Sequence, residues 1–110
     1  MLQKLLASSQ MVYGSLDSVT VIDADANKGA FLSPILLMNE TPHTSTEPHN
    51  IEAFGPVSTI MPYKNMDDVI ALSKLGKGSL VSTIVTADYT TAKKICNWRS
   101  IASWKDISVE

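Results

Sequence analysis

From Val57 to Cys96 the chain reads VSTIMPYKNMDDVIALSKLGKGSLVSTIVTADYTTAKKIC. Val57 to Met61 is apolar and β-prone, which predicts a strand. Asn65 to Leu75 predicts a helix. Asn65 suits the N-cap, Asp67 and Asp68 match the positive end of the dipole, and Val69, Leu72 and Leu75 recur at helical spacing. Gly76 and Gly78 predict its stop. Leu80 to Thr86 predicts a strand apolar on both faces, and Asp88 caps a last helix carrying Ala92, Ile95, Cys96 and Ile101. Strand, helix, strand, helix is the order of a parallel sheet with right-handed crossovers. Such a sheet needs helices on both faces, and this chain offers few. The expected class is α/β: a partial parallel sheet with flanking helices, in one partial domain spanning 1–110.

Upstream of that stretch the pattern is less regular. Leu2, Leu5, Leu6 and Val12 share a helical face, so Met1 to Tyr13 predicts an amphipathic helix ended by Gly14. Ser18 to Asp23, with β-branched Val19, Val21 and Ile22, predicts a short strand, and Asp23 to Lys28 a turn closed by Gly29. Phe31 to Met38 predicts a second extended segment, with Pro34 marking an edge or a bulge. Asn39 to Asn50 is a long polar loop, a kind of segment that often carries function.

Composition narrows the function classes. Of 110 residues, 45% are hydrophobic and 18% charged, which is a globular balance for one modest domain. The net charge of -2 and the thin spread of lysines leave no basic stripe, so no nucleic-acid partner is expected. The longest apolar stretch, Ala30 to Met38, is broken by Ser33 and Pro34 and falls far short of the roughly 20 residues that cross a bilayer. Neither a membrane role nor a signal peptide is expected. The single cysteine allows no internal disulfide, and an intracellular, cytoplasmic protein is expected.

Most candidate chemistry has a plainer reading. Cys96 sits mid-helix on the apolar face beside Ile95, where a thiol behaves as a small hydrophobe. His43 and His49, with Glu40, Glu47 and Glu52 around them, lack the tight spacing of zinc ligands and read as solvated loop residues. Gly76-Lys77-Gly78-Ser79 follows a helix and precedes a strand, the reverse of a phosphate loop. Adjacent Asp67 and Asp68 point to different sides of a helix and form no acid/base pair. Glu52-Ala-Phe-Gly-Pro-Val57 stays open. A carboxylate and an aromatic two residues apart could meet a ligand at a bend set by Gly55 and Pro56, or could be a surface Glu and a buried Phe at a loop-to-strand corner.

That hexapeptide resembles the Glu-aliphatic-Phe-Gly-Pro-Val motif of the aldehyde dehydrogenase superfamily, with Ala53 in place of Ile or Val. Gly29-Ala30-Phe31 through Pro34-Ile35-Leu36 resembles the family's Gly-aromatic-x-x-Pro-Thr segment, with Ile35 for Thr. Tyr63 with Met66 to Leu72 is similar to the helix after the motif, and Gly78-Ser79-Leu80 through Val85-Thr86-Ala87-Asp88 to the following strand and its exit. The ordered resemblance is clearest over 29–94. Gly78-Ser79-Leu80, Ala53 and Met61-Pro62-Tyr63 are most similar to the dehydrogenase domain of bifunctional phenylacetate-degradation enzymes.

The resemblance implies a fragment of the catalytic domain of an NAD(P)-dependent enzyme that oxidises an aldehyde to an acid through a cysteine thiohemiacetal. It places the contact with the nicotinamide ribose on Glu52, as acceptor for the ribose hydroxyls, and on Phe54, as the apolar wall beside them. The cofactor implied is NAD or NADP in the full-length protein, and the partners an aldehyde substrate and a homo-oligomer or self-associating fragment. The family's nucleophilic cysteine in Gly-Gln-x-Cys, its general base in Glu-Leu-Gly-Gly, its oxyanion-binding Asn and its Rossmann-type domain have no match here. Cys96 has neither that context nor that position, and Trp98 to Glu110 departs from the pattern. No catalytic or metal-binding residue is therefore expected in this chain, and the isolated chain is expected to be inactive. The rival expectation is a stand-alone, non-catalytic α/β binding or interaction module.

Overall fold

The computed structural model describes residues 1–17, 19–77, 82–101 and 107–109. It divides into two compact units, Met1–Pro62 and Tyr63–Glu110.

The first unit opens with α1 (Leu2–Ser8), which turns Leu5 into a core with 2% of its surface exposed. The helix does not reach Tyr13 as its apolar spacing predicts. Ser9 takes an extended conformation, and Gln10–Tyr13 forms β1. Serines compete with the backbone for hydrogen bonds, as Ser8 Oγ does by donating to the Leu5 carbonyl at 3.4 Å. The residues beyond gain a strand partner instead. β1 pairs antiparallel with β2 (Ile35–Met38), with a register irregularity at Val12. Gly14 follows with φ 97; a Cβ there would collide with the Pro34 carbonyl oxygen.

The strand predicted over Ser18–Asp23 does not form among its described residues. Ser18 lies outside the described residues, while 19–23 is irregular, with Ile22 86% exposed and Asp23 at φ 55. β-branched residues favour a strand only where a neighbour completes the ladder, and none does here. The turn after it forms: Asp25 Oδ1 accepts from the Asn27 N–H and its carbonyl from the Lys28 N–H, both at 3.0 Å.

β2 is the central strand of the order β1-β2-β3, where β3 is Val57–Ile60. Pro34 therefore marks neither an edge nor a bulge. It stands just ahead of a central strand, where its missing N–H breaks no ladder bond. β2 and β3 run parallel, with Ile35 opposite Val57 and Met38 opposite Ile60. Alternate residues Ile35 and Leu37 join Leu5 in the core, a burial worth about 1.5–3 kcal/mol for each such side chain. The sheet is thus mixed: the parallel pair expected of an α/β domain plus one antiparallel strand. The polar loop between β2 and β3 hangs on buried Asn39, whose Nδ2 donates to the Ser8 carbonyl at 2.9 Å and whose Oδ1 accepts from the Thr41 N–H at 2.9 Å. It contains one helical turn, α2 (Glu47–Asn50), packed on α1.

In the second unit, α3 (Met66–Leu75) is capped as predicted: Asn65 Oδ1 accepts from the Asp68 N–H at 3.0 Å, and Asp68 Oδ2 accepts from the Lys64 N–H at 2.9 Å. The stop differs in detail. Gly76 stays right-handed helical, and Lys77 takes the left-handed position at φ 51; Gly78 lies outside the described residues. β4 (Ser82–Ile84) pairs parallel with β5 (Ile107–Val109) in a two-stranded sheet within this unit. The predicted beginning of that strand at Leu80 is outside the described residues. Among the described side chains of this stretch, Thr83 is exposed and Ile84 half-buried. α4 (Tyr89–Ile101) starts at Asp88, whose Oδ1 accepts from the Thr90 N–H at 3.0 Å and whose Oδ2 accepts from Thr91 Oγ1 at 2.6 Å. β5 falls in the tail whose residues carry no family pattern; 102–106 and 110 are outside the described residues.

Candidate functional site

Ile51 to Pro56 links α2 to β3, and alternation organises it. Ile51 and Ala53 turn inward and pack, with Val57, against the Leu5–Ile35–Leu37 core. Glu52 and Phe54 therefore share the opposite side, since side chains of extended backbone alternate with period two. Glu52 is exposed and Phe54 is 84% exposed. The Phe is not the buried corner residue that one reading of the motif allowed.

Both ends of the segment are fixed. The Ile51 N–H donates to the Glu47 carbonyl at 2.9 Å, closing α2. The Ile35 N–H donates to the Pro56 carbonyl at 2.8 Å, and the Val57 N–H to the Gly55 carbonyl at 2.8 Å, turning the chain about Pro56. Gly55 has φ 137, backbone that a side-chain-bearing residue adopts only under strain. α2 is itself tied down. The Glu47 carboxyl is held below the ordinary carboxylate range, first by its own backbone N–H and, among smaller contributions, by the Ser8 hydroxyl and Thr46.

Among the described residues the Glu52 carboxylate has no hydrogen-bond or ion-pair partner. An ionised carboxylate only accepts, so this face offers free acceptors beside a bare apolar ring. Such a surface can accept hydrogen bonds from a ligand and pack a ring against its apolar part.

The other residues singled out by sequence lie elsewhere. His49 Nε2 donates to the Pro42 carbonyl at 2.6 Å, and His43 is exposed on the same loop. Cys96 is half-buried on α4. Asp67 is exposed, and Asp68 serves the α3 cap. No group of three or more His, Cys, Asp or Glu suited to a metal occurs among the described residues, and no described helix is long and apolar enough to cross a membrane. A separate cavity of about 290 Å³ lies within the second unit, between Met66 and Val69 of α3, Ile84 of β4 and Ile95 of α4. Sequence reasoning passed over Leu32 and Ile51, which pack beneath the exposed face; the alternation from Ile51 to Phe54 was the signal available for the latter.

An α/β piece that ends a polar loop on an exposed Glu-x-Phe-Gly-Pro corner is what the fold and site define, and residues 7–101 match the model of the aldehyde dehydrogenase family, to which the chain belongs. Among relatives, it is 36% identical over 87 residues to 3,4-dehydroadipyl-CoA semialdehyde dehydrogenase of Aromatoleum evansii, covering 79% of this chain and 17% of that protein. It is 44% identical over 66 residues to protein MaoC of Klebsiella aerogenes, covering 60% and 20%. To aldehyde dehydrogenase LUC3 of a Fusarium species it is 30% identical over 81 residues, covering 73% and 17%. The chain thus spans about a fifth or less of the length of these relatives.

Proposed function

We propose that these residues form part of an NAD(P)-dependent dehydrogenase that oxidises an aldehyde to an acid, and that Glu52 and Phe54 are its contact with the nicotinamide ribose. The observation that carries this is the segment Ile51–Pro56, which anchors two side chains in the core and leaves an unpartnered carboxylate and a ring on the other side. The cofactor would supply the hydride acceptor. Glu52 would accept from the two ribose hydroxyls and so fix the rotation of the sugar, while Phe54 would shield one side of it from water. Gly55 permits the corner's conformation, and Pro56, with its fixed φ and its carbonyl accepting from the Ile35 N–H, holds the exit from it. A cysteine thiohemiacetal elsewhere in the full-length protein would donate the hydride. A semialdehyde carried on a CoA thioester is the substrate we favour, since one relative is named for a CoA-linked semialdehyde; a place in phenylacetate degradation rests on the resemblance of Gly78-Ser79-Leu80, Ala53 and Met61-Pro62-Tyr63 alone.

The test is Glu52→Gln in the full-length protein. Gln keeps the shape and loses the charge, so the KM for NAD(P) is expected to rise about tenfold, the cost of weakening charge-assisted hydrogen bonds. An unchanged cofactor KM would remove Glu52 from the site.

A further inference from the structure

We propose that Leu32 is a positioning residue for the Glu52–Phe54 face; the inference rests on the cofactor-contact reading above. Gly55 has no side chain, and its φ of 137 sits in a region that glycine enters and leaves freely. Something other than its own steric limits must hold that corner. The point where a Cβ would stand on Gly55 lies 3.4 Å from Leu32 Cδ2, and beyond its chain neighbours no other described heavy atom comes within 4 Å of it. Leu32 is half-buried and packs against the same Leu5–Ile35–Leu37 core that holds Ile51 and Ala53. One side chain from the core therefore lines the space on the Cβ side of the corner. The segment before it is already fixed by Ile51 and Ala53, and the one after it by the Ile35–Pro56 hydrogen bond, so Leu32 borders the permissive joint between them.

Removing the isobutyl group leaves a gap beneath Gly55 into which the backbone can sink. Phe54 and Glu52 keep their chemistry and lose their aim. The expected signature is weaker cofactor binding by a protein that still folds, restored by a side chain of similar volume.

The experiment measures the equilibrium Kd for NAD or NADP in four variants of the full-length protein. Leu32→Ala is expected to weaken binding by on the order of three- to tenfold, the effect of misaiming one hydrogen-bonded contact. Leu32→Met should return it to within about twofold of the parent, since volume-conserving exchanges repack. Leu37→Ala, in the core below, should lower the unfolding midpoint and leave Kd unchanged. Glu52→Gln reports on the site itself. A Kd unmoved by Leu32→Ala but raised by Glu52→Gln would overturn the positioning role alone. A Kd unmoved by Glu52→Gln would overturn the cofactor-contact reading and this role with it. Equal weakening by Leu37→Ala and Leu32→Ala would reduce Leu32 to general core support. Should Leu32→Ala fail to fold, Leu32→Val makes the same test with a smaller gap.

Discussion

Phe54 and Asn39 mark opposite extremes of what a single residue does in this chain. The Phe54 ring is 84% exposed and leaves the core to its neighbours, so Phe54→Ala removes little burial. Its unfolding free energy is expected to stay within about 0.5 kcal/mol of the parent. In the full-length protein the same change should raise the cofactor KM. Denaturant titration beside steady-state kinetics checks both halves, and a large loss of stability would make Phe54 a packing residue. Asn39 is the reverse case: it is fully buried, and its amide joins the end of α1 to the loop after β2. Asn39→Ala strands the Ser8 carbonyl and the Thr41 N–H, at a cost of about 1–3 kcal/mol. Glu52 and Phe54 were singled out by the resemblance of Glu52-Ala-Phe-Gly-Pro-Val57 to a family motif, since their residue types alone left a surface Glu and a buried Phe open. Asn39 was not legible, since a polar residue opening a polar loop carries no sign that it is buried.

At the scale of elements, what could be read was what is decided locally. The caps of α3 and α4 depend on residues within one turn, and Asn65 and Asp88 form the bonds that their positions imply. Asn65→Ala should lower the stability of the second unit by about 1 kcal/mol, measurable by thermal unfolding. Asp88 adds a pH dependence. The Thr91 hydroxyl first, and then the Thr90 N–H, hold its carboxyl below the ordinary aspartate range. A carboxylate with a lowered folded pKa contributes stability above its unfolded value, and that contribution is lost as pH falls through the folded one. Protection of the first-turn amides of α4 against hydrogen exchange is therefore expected to drop in acid, and Asp88→Asn should flatten the profile. A flat profile in the parent would show that the cap does not depend on ionisation. Elements decided by distant partners were misread. The apolar spacing that ends at Val12 predicts one helix, yet β2 recruits Gln10–Tyr13 as a strand, and the β-branched run at 19–23 forms no strand without a ladder to join.

At the scale of the whole molecule, burial is thin. Among the described residues the buried hydrophobics are Leu5, Ile35, Leu37 and Ala92, while Val12 and Tyr13 on β1, Phe54, Val85 and Tyr89 stand exposed. β1 and β3 are both edges of their sheet, and an edge strand with apolar side chains is a template for another chain. The relatives supply the physical context, because this chain spans about a fifth or less of their length. A surface that is internal in such a protein has to be covered when these residues stand alone, and other copies are the available cover. The isolated chain is therefore expected to self-associate with rising concentration in light scattering. It should also form no NADH from aldehyde, because one edge of a cofactor site cannot offset the cost of ordering a free dinucleotide. The two readouts separate the alternatives. A concentration-independent monomer without activity would favour a self-sufficient binding module, whose exposed ring and carboxylate then serve another ligand. Aldehyde-dependent NADH formation by the chain alone would mean that the nucleophile lies within it, and Cys96→Ser would become the decisive variant.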